Sequence, residues 1–224
     1  MEKYISILKN TNLFLGIDEK EITAMLGCLN AKVVSYKKNE TILRIGETSP
    51  SIGMLLSGQA LMEKEDFWGN RTIISEVLSG MIFNESYACL SQMPSEHRVT
   101  ATEQSTVMYF DVSRTFSVCS TACNYHTRLI RNLIRSLAEI NIGLTRKMEC
   151  ISKKTIRDRL LTYLSSESRK IGQSYFTIPF NRQQLADYLS VDRSALSNEI
   201  SKLQKEGIIT CNRNQFYVAV NPED

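Results

Sequence analysis

The spacing of apolar residues changes character three times along the 224 residues of the chain. The first stretch predicts short helices over Glu2–Leu8 and Asp18–Asn30, with Asp18 as N-cap and Glu21 as its capping-box partner. From residue 32 the texture becomes short β segments: Val33–Tyr36, Thr41–Arg44, Ile52–Leu56, Gln59–Glu63, Thr72–Leu78, Val99–Ala101 and Thr106–Asp111. Gly46, Gly58, Gly69-Asn70 and Gly80 punctuate them. Many short strands separated by turn signals predict a sandwich or small barrel of the jelly-roll kind, a shape that can enclose a small ligand.

From Tyr125 the period becomes helical. Ile130, Leu133, Leu137, Ile140, Leu144, Met148 and Ile151 recur at steps of 3, 4, 3, 4, 4 and 3, close to a heptad repeat. Gly143 is the one weak helix former in the run. A helix of roughly 25 residues is about 37 Å long, which suits a parallel coiled-coil seam between two copies. The other arrangement is a long core helix lying across the barrel.

The last change of pattern predicts two short helices and a hairpin. Leu185, Ala186 and Leu189 share one face of a first helix, and Ser190-Val191-Asp192 makes a tight connector. The second helix places Leu196, Ile200 and Leu203 at i, i+4, i+7 on one side. Arg193, Ser194, Ser197, Asn198 and Lys202 occupy the other. Gly207 stops that helix, and strands over Ile208–Cys211 and Phe216–Val220 flank a turn at Asn212–Gln215. A further extended run covers Phe176–Pro179. Two helices joined by a tight turn also occur in ordinary bundles; followed by a hairpin they describe a winged helix-turn-helix. Small and planar polar residues at the start of its second helix suit base edges in a DNA major groove.

Charge adds to this picture. The net charge of +3 hides an asymmetry. Residues 1–124 carry 11 basic against 14 acidic side chains, whereas 125–224 carry 16 against 10. The basic excess therefore falls on the half with the helix-turn-helix, as a phosphate-binding module requires. An apolar fraction of 42% is that of an ordinary globular protein. No apolar run approaches the roughly 20 residues of a membrane span, and the start MEKYISILKN lacks a signal-peptide core. Six cysteines without paired short spacing fit free thiols in a reducing cytoplasm. The two histidines, His97 and His126, are too few for a metal-dependent enzyme of the barrel type. With no Ser-His-Asp arrangement, P-loop or paired-Cys zinc site, the sequence points away from catalysis.

The order of these parts resembles the Crp/Fnr family of bacterial transcription regulators along essentially the whole chain. Gly80-Met81-Ile82-Phe83-Asn84-Glu85 is similar to the family's G-x-x-F-G-E, Ile52–Gly58 to its glycine-marked strand, and Thr155–Leu160 to the segment leading into the DNA-binding domain. The closest match is Gln184-Leu185-Ala186 through Leu203. The resemblance implies an α+β architecture: a β-roll sensor over 1–124, a dimerisation helix over 125–151 and a winged helix-turn-helix domain over 152–224. The partners it implies are a double-stranded operator, a second copy of the chain, and RNA polymerase if the regulator activates. By position it places Arg193, Ser194 and Asn198 on bases, with Ser197 near them. Asn198 stands where cyclic-AMP-responsive members have a second arginine, so the half-site should differ. Arg182 and Gln183 read as phosphate contacts; Arg182 and Lys202 equally suit a solvated helix face.

The sensor departs from the family pattern. Glu85 and Ser86 remain, but Asn84 replaces the glycine of the ribose-binding pair, and Ser95 stands where the phosphate-binding arginine belongs. Arg98, three residues on, faces the other side of a strand. A phosphate with no buried cation is costly to desolvate, which argues against cyclic AMP. An iron–sulfur cluster needs several N-terminal cysteines, and Cys28 is alone there. Cys119 and Cys123, four apart, suit packing or a thiol redox role, and His97 or His126 would be an isolated haem ligand. What remains is an unidentified small effector near Glu85, Ser86 and Arg98, with Leu144 and Thr145 as the matching helix positions.

Overall fold

The computed structural model describes residues 4–69, 71–90, 93–111, 114 and 124–219. Cys119 and Cys123 lie outside them. The chain forms two compact units, Met1–Gly69 with Ile74–Ile140 and Asn70–Ile73 with Asn141–Asp224.

The first unit opens with α1 (Ile5–Leu8), a single 3-10 turn (Asn12–Phe14) and α2 (Glu19–Cys28). The Asp18 carboxylate accepts from the Glu21 amide at 2.9 Å and Glu21 returns the bond to the Asp18 amide at 3.1 Å, so the expected capping box forms. Eight strands follow in the chain, β5 starting within the second unit's Asn70–Ile73: β1 (Lys32–Tyr36), β2 (Thr41–Leu43), β3 (Ser51–Ser57), β4 (Gln59–Glu65), β5 (Arg71–Leu78), β6 (Ile82–Phe83), β7 (Arg98–Ala101) and β8 (Ser105–Asp111). They make two four-stranded sheets, ordered β1-β8-β3-β6 and β2-β7-β4-β5. α3 (Glu85–Cys89) sits between β6 and β7.

Alternation along β3 explains why this sheet is covered on both faces. Leu55 joins Leu43, Val77, Phe83, Val99 and Val107 in one apolar core drawn from both sheets. Ile52, Met54 and Leu56 point the other way, into a core shared with Phe14, Ile22, Met25 and Phe110. Gly53 is obligatory at its register opposite Phe83, because a Cβ there would overlap the Phe83 ring.

The long helix α4 (Asn124–Ile151) spans 28 residues, about 42 Å at 1.5 Å per residue. Its first half packs within the first unit: Leu129 and Leu133 are buried in the helical core and Leu137 and Ile140 lie against it. Asn132 donates to the carbonyls of Leu13 and Leu15 at 3.0 and 2.9 Å. These contacts redraw the expected seam. Leu133 and Ile140 face their own unit's core, whereas Ile134, absent from the expected stripe, is 62% exposed. Leu144 and Met148 stand open at 46% and 63%, and Ile130 and Ile151 are half-buried.

The second unit contains α5 (Ile156–Ile171), β9 (Tyr175–Thr177), α6 (Arg182–Leu189), α7 (Arg193–Lys205), β10 (Ile209–Asn212) and β11 (Gln215–Val218). The three strands form one antiparallel sheet, ordered β10-β11-β9. Leu185, Ala186, Leu189, Leu196, Ile200 and Leu203 are all buried, so both helices bury the faces their spacing predicts.

Candidate nucleic-acid interface

The geometry of α6 and α7 is fixed at three points. Asn181 caps α6 by a reciprocal pair with Gln184, at 3.0 and 2.8 Å. Ser190 ends it in the left-handed region at φ 54°, and the Val191 amide closes onto the Ala186 carbonyl at 3.0 Å. Asp192 then caps α7, accepting from the Ala195 amide at 2.8 Å and from the Ser194 hydroxyl at 2.5 Å. The Ser194 bond above all, with the Ala195 amide, holds the Asp192 carboxyl below its ordinary range. Two arginines that the sequence alone does not single out brace this arrangement. Arg159 donates to the carbonyls of Leu189 and Ser190 at 3.1 and 2.9 Å, clamping the turn. Arg157 forks onto Glu206 beyond the end of α7. Their partners lie 30 to 49 residues away, which is why no local pattern reveals them.

On the open face of α7 the expected residues differ in availability. Arg193 and Asn198 are exposed, and their side chains make no hydrogen bond among the described residues. Ser194 is committed to the cap and Ser197 donates back to the Arg193 carbonyl at 2.9 Å. Lys202 is exposed, 3.4 Å from Glu199 on its own helix. Gln183 reaches Asp187 at 2.8 Å. Arg182 is half-buried rather than free in solvent: it donates to the Cys211 sulfur at 3.3 Å and lies 5.9 Å from the Phe216 ring centre. It ties α6 to the wing strands. Tyr163, Phe180 and Tyr188 form an aromatic cluster with ring centroids 4.9 to 6.2 Å apart, Phe180 stacked on Tyr188 and Tyr163 tilted to both. Lys147, buried, sits 4.5 Å over Tyr188 and donates to the Ile73 carbonyl; burial lowers its ammonium pKa to about 8.

In the roll, polar groups are mostly engaged by neighbours. Arg98 pairs with the buried Glu63 at 2.9 Å and with Glu65 at 3.1 Å. Thr100 also donates to Glu63, at 3.1 Å. The Ser95 hydroxyl donates to the His97 carbonyl and accepts from its amide. His97 meets the Tyr87 hydroxyl at 3.2 Å, and burial lowers its pKa. Asn84 adopts φ 64°, a left-handed backbone that asparagine tolerates in place of glycine. Its amide donates to Ser51 at 2.9 Å. Glu85 is 6% exposed, with Oε2 unpartnered, Oε1 3.4 Å from the Ser86 hydroxyl, and a carboxyl pKa that burial raises. Leu144 and Thr145 belong to the second unit, where Thr145 donates to the Asn141 carbonyl at 3.0 Å.

Residues 33–122 match the cyclic nucleotide-binding domain and residues 158–223 the Crp-like helix-turn-helix domain. No curated protein matches. Among solved structures, FixK2 from Bradyrhizobium japonicum is 22% identical, with 85% of this chain and 93% of that one covered at a TM-score of 0.66. The c-di-GMP responsive global regulator CLP from Xanthomonas campestris is 16% identical, covering 91% and 100% at 0.73. A transcriptional regulator of the CRP/FNR family from Thermus thermophilus is 17% identical, covering 84% and 94% at 0.60. Among the described residues no helix is long and apolar enough to cross a membrane.

Proposed function

The chain belongs to the Crp/Fnr family of DNA-binding transcription regulators, and from that premise we propose that it acts as a homodimer on a pseudo-palindromic operator, tuned by a small effector in the roll. The observation that carries the reading is the face of α7. Arg193 and Asn198 stand exposed and uncommitted, one suited to forking onto guanine O6 and N7, the other to pairing with adenine N6 and N7. Ser194 and Ser197 shape the helix start beside them, and Lys202 supplies a phosphate contact. Dimerisation places two such helices one DNA turn apart, about 34 Å, and the exposed Ile134, Leu144 and Met148 of α4 support it.

The effector reading rests on Glu85. An arginine tied to Glu63 and Glu65 and a serine closed on His97 offer a phosphate little, whereas the buried, unpartnered Glu85 Oε2 suits a ligand that donates hydrogen bonds. A neutral or cationic molecule fits this chemistry better than a cyclic nucleotide. The ligand would shift the population toward the dimer whose helices match the operator spacing.

Selection of duplexes from a random pool by the full chain tests the proposal. Two inverted half-sites about one helical turn apart are expected; an asymmetric single site would overturn it. The double variant Ile134→Glu/Met148→Glu should be monomeric by analytical ultracentrifugation and bind the selected duplex about 100-fold or more weakly, since each half-site then binds alone. A dimer unaffected by both charges would place the interface elsewhere.

A further inference from the structure

One stripe of α4 follows a stricter rhythm than the sequence pattern first suggests; its Ile134, Asn141, Leu144 and Met148 are exposed, Ile130 and Ile151 are half-buried, and Leu137 is half-buried against the first unit's core. Ile130, Ile134, Leu137, Asn141, Leu144, Met148 and Ile151 are separated by steps of 4, 3, 4, 3, 4 and 3. In heptad terms Ile134, Asn141 and Met148 are a positions, and the other four are d positions. One step before each a position, Leu133 is buried in the first unit's core, Ile140 lies half-buried against it beside Leu137, and Lys147 is buried within the second unit. Ala138 and Thr145, one step after a d position, are small and exposed, so a second helix can approach closely. One polar residue interrupts the stripe. The Asn141 side chain is exposed and makes no hydrogen bond among the described residues; beyond the helix's own backbone bonds, its carbonyl accepts from the Thr145 hydroxyl at 3.0 Å.

We propose that Asn141 pairs with Asn141 of a second copy across a parallel, in-register seam and thereby sets the alignment of the two α4 helices. This rests on the homodimer reading above. The occupant follows from the chemistry. A carboxamide carries both donors and an acceptor, and in a parallel dimer each a residue meets the same a residue of the other chain. Two Asn141 side chains therefore satisfy each other. A slip of one heptad sets each asparagine against Ile134 or Met148, burying an amide without a partner. An asparagine at one a position weakens association but selects one register, and a fixed register holds two recognition helices at one separation.

Mixing experiments on the full-length chain test this. Wild-type chains carrying tags of two masses should exchange until heterodimers make up about one-half of all dimers by native mass spectrometry, as random pairing requires. Wild-type chains mixed with Asn141→Leu chains should sort, with heterodimers below about one-fifth, because the mixed pair strands an amide. Asn141→Leu alone should tighten the homodimer by about tenfold or more. Arg146→Ala, on the opposite side of the helix, should leave random pairing intact. Random pairing of the Asn141→Leu mixture overturns the alignment claim while leaving the dimer standing. A wild-type chain that stays monomeric at concentrations where it binds operator overturns both.

Discussion

The two ends of this molecule handle their polar groups in opposite ways. On α7, Arg193 and Asn198 stand in water with no partner among the described residues. In the roll, Arg98, Thr100, Ser95 and His97 are tied to neighbours, and the unpartnered Glu85 oxygen is buried. A surface that reads DNA can leave donors hydrated until the duplex replaces the water. A buried pocket cannot, since an unsatisfied group there costs about 1–3 kcal/mol. The reading end is therefore recognisable from residue types alone. In the roll, where we propose that an effector binds, any ligand would be selected by what each side chain already holds.

The largest expected effect lies in the roll. Arg98→Ala removes a guanidinium 2.9 Å from the almost fully buried Glu63 carboxylate and should destabilise the first unit by about 2–3 kcal/mol, below the value for a fully buried pair because the Arg98 side chain is 34% exposed. Denaturant unfolding of the full chain, followed by a probe in the roll, measures it. If Arg98 were instead held free for a ligand, the loss would be small and would appear in effector response. At the other end, Arg193→Ala should leave folding unchanged and lose about 1–3 kcal/mol on the cognate duplex, with discrimination relaxed at one base position. Equal weakening on every duplex would make Arg193 a phosphate contact. Lys202→Ala should cost on the order of 1 kcal/mol on all sequences alike and lower the salt slope by about one. Titrations of both variants against cognate and scrambled duplexes at several salt concentrations separate these roles.

The sequence made the seven longer strands of the roll, the helix pair and the wing legible because each rests on local period and turn chemistry. Asp18 with Glu21, and Gly207 beyond α7, announce their own ends. The two-residue β6 and the five-residue α3 escape, being too short for any period to register. The seam of α4 is the instructive case. Leu133 and Ile140 belong to a core-facing side and Ile134 to the open one, but on one helix both sides recur at steps of three and four, and a linear reading merges them. Only burial separates them. Arg182 was legible as a cation beside the reading helix, but not as a group held by Cys211, 29 residues on. Glu85 was legible by resemblance, and its partnerless burial only from the fold.

The smallest predicted effect gives the sharpest test of the contrast between the two ends. Burial raises the Glu85 carboxyl above its ordinary value of 4.5, so the folded roll holds that proton more tightly than the unfolded chain does. The stabilisation is complete below pH 4.5 and is lost as the pH rises through the raised value. Across that window Glu85 should contribute a downward slope of stability with pH, no steeper than the one-proton limit of about 1.4 kcal/mol per pH unit. Glu85→Gln removes this component, so the wild-type curve minus the variant curve should fall through the window and flatten below it. Parallel curves would mean that the carboxylate is solvated or paired, and the proposed ligand contact would lose its basis. A ligand that donates to Oε2 favours the ionised form and lowers the raised value, so its addition should shrink the slope in the wild type and leave Glu85→Gln unaffected.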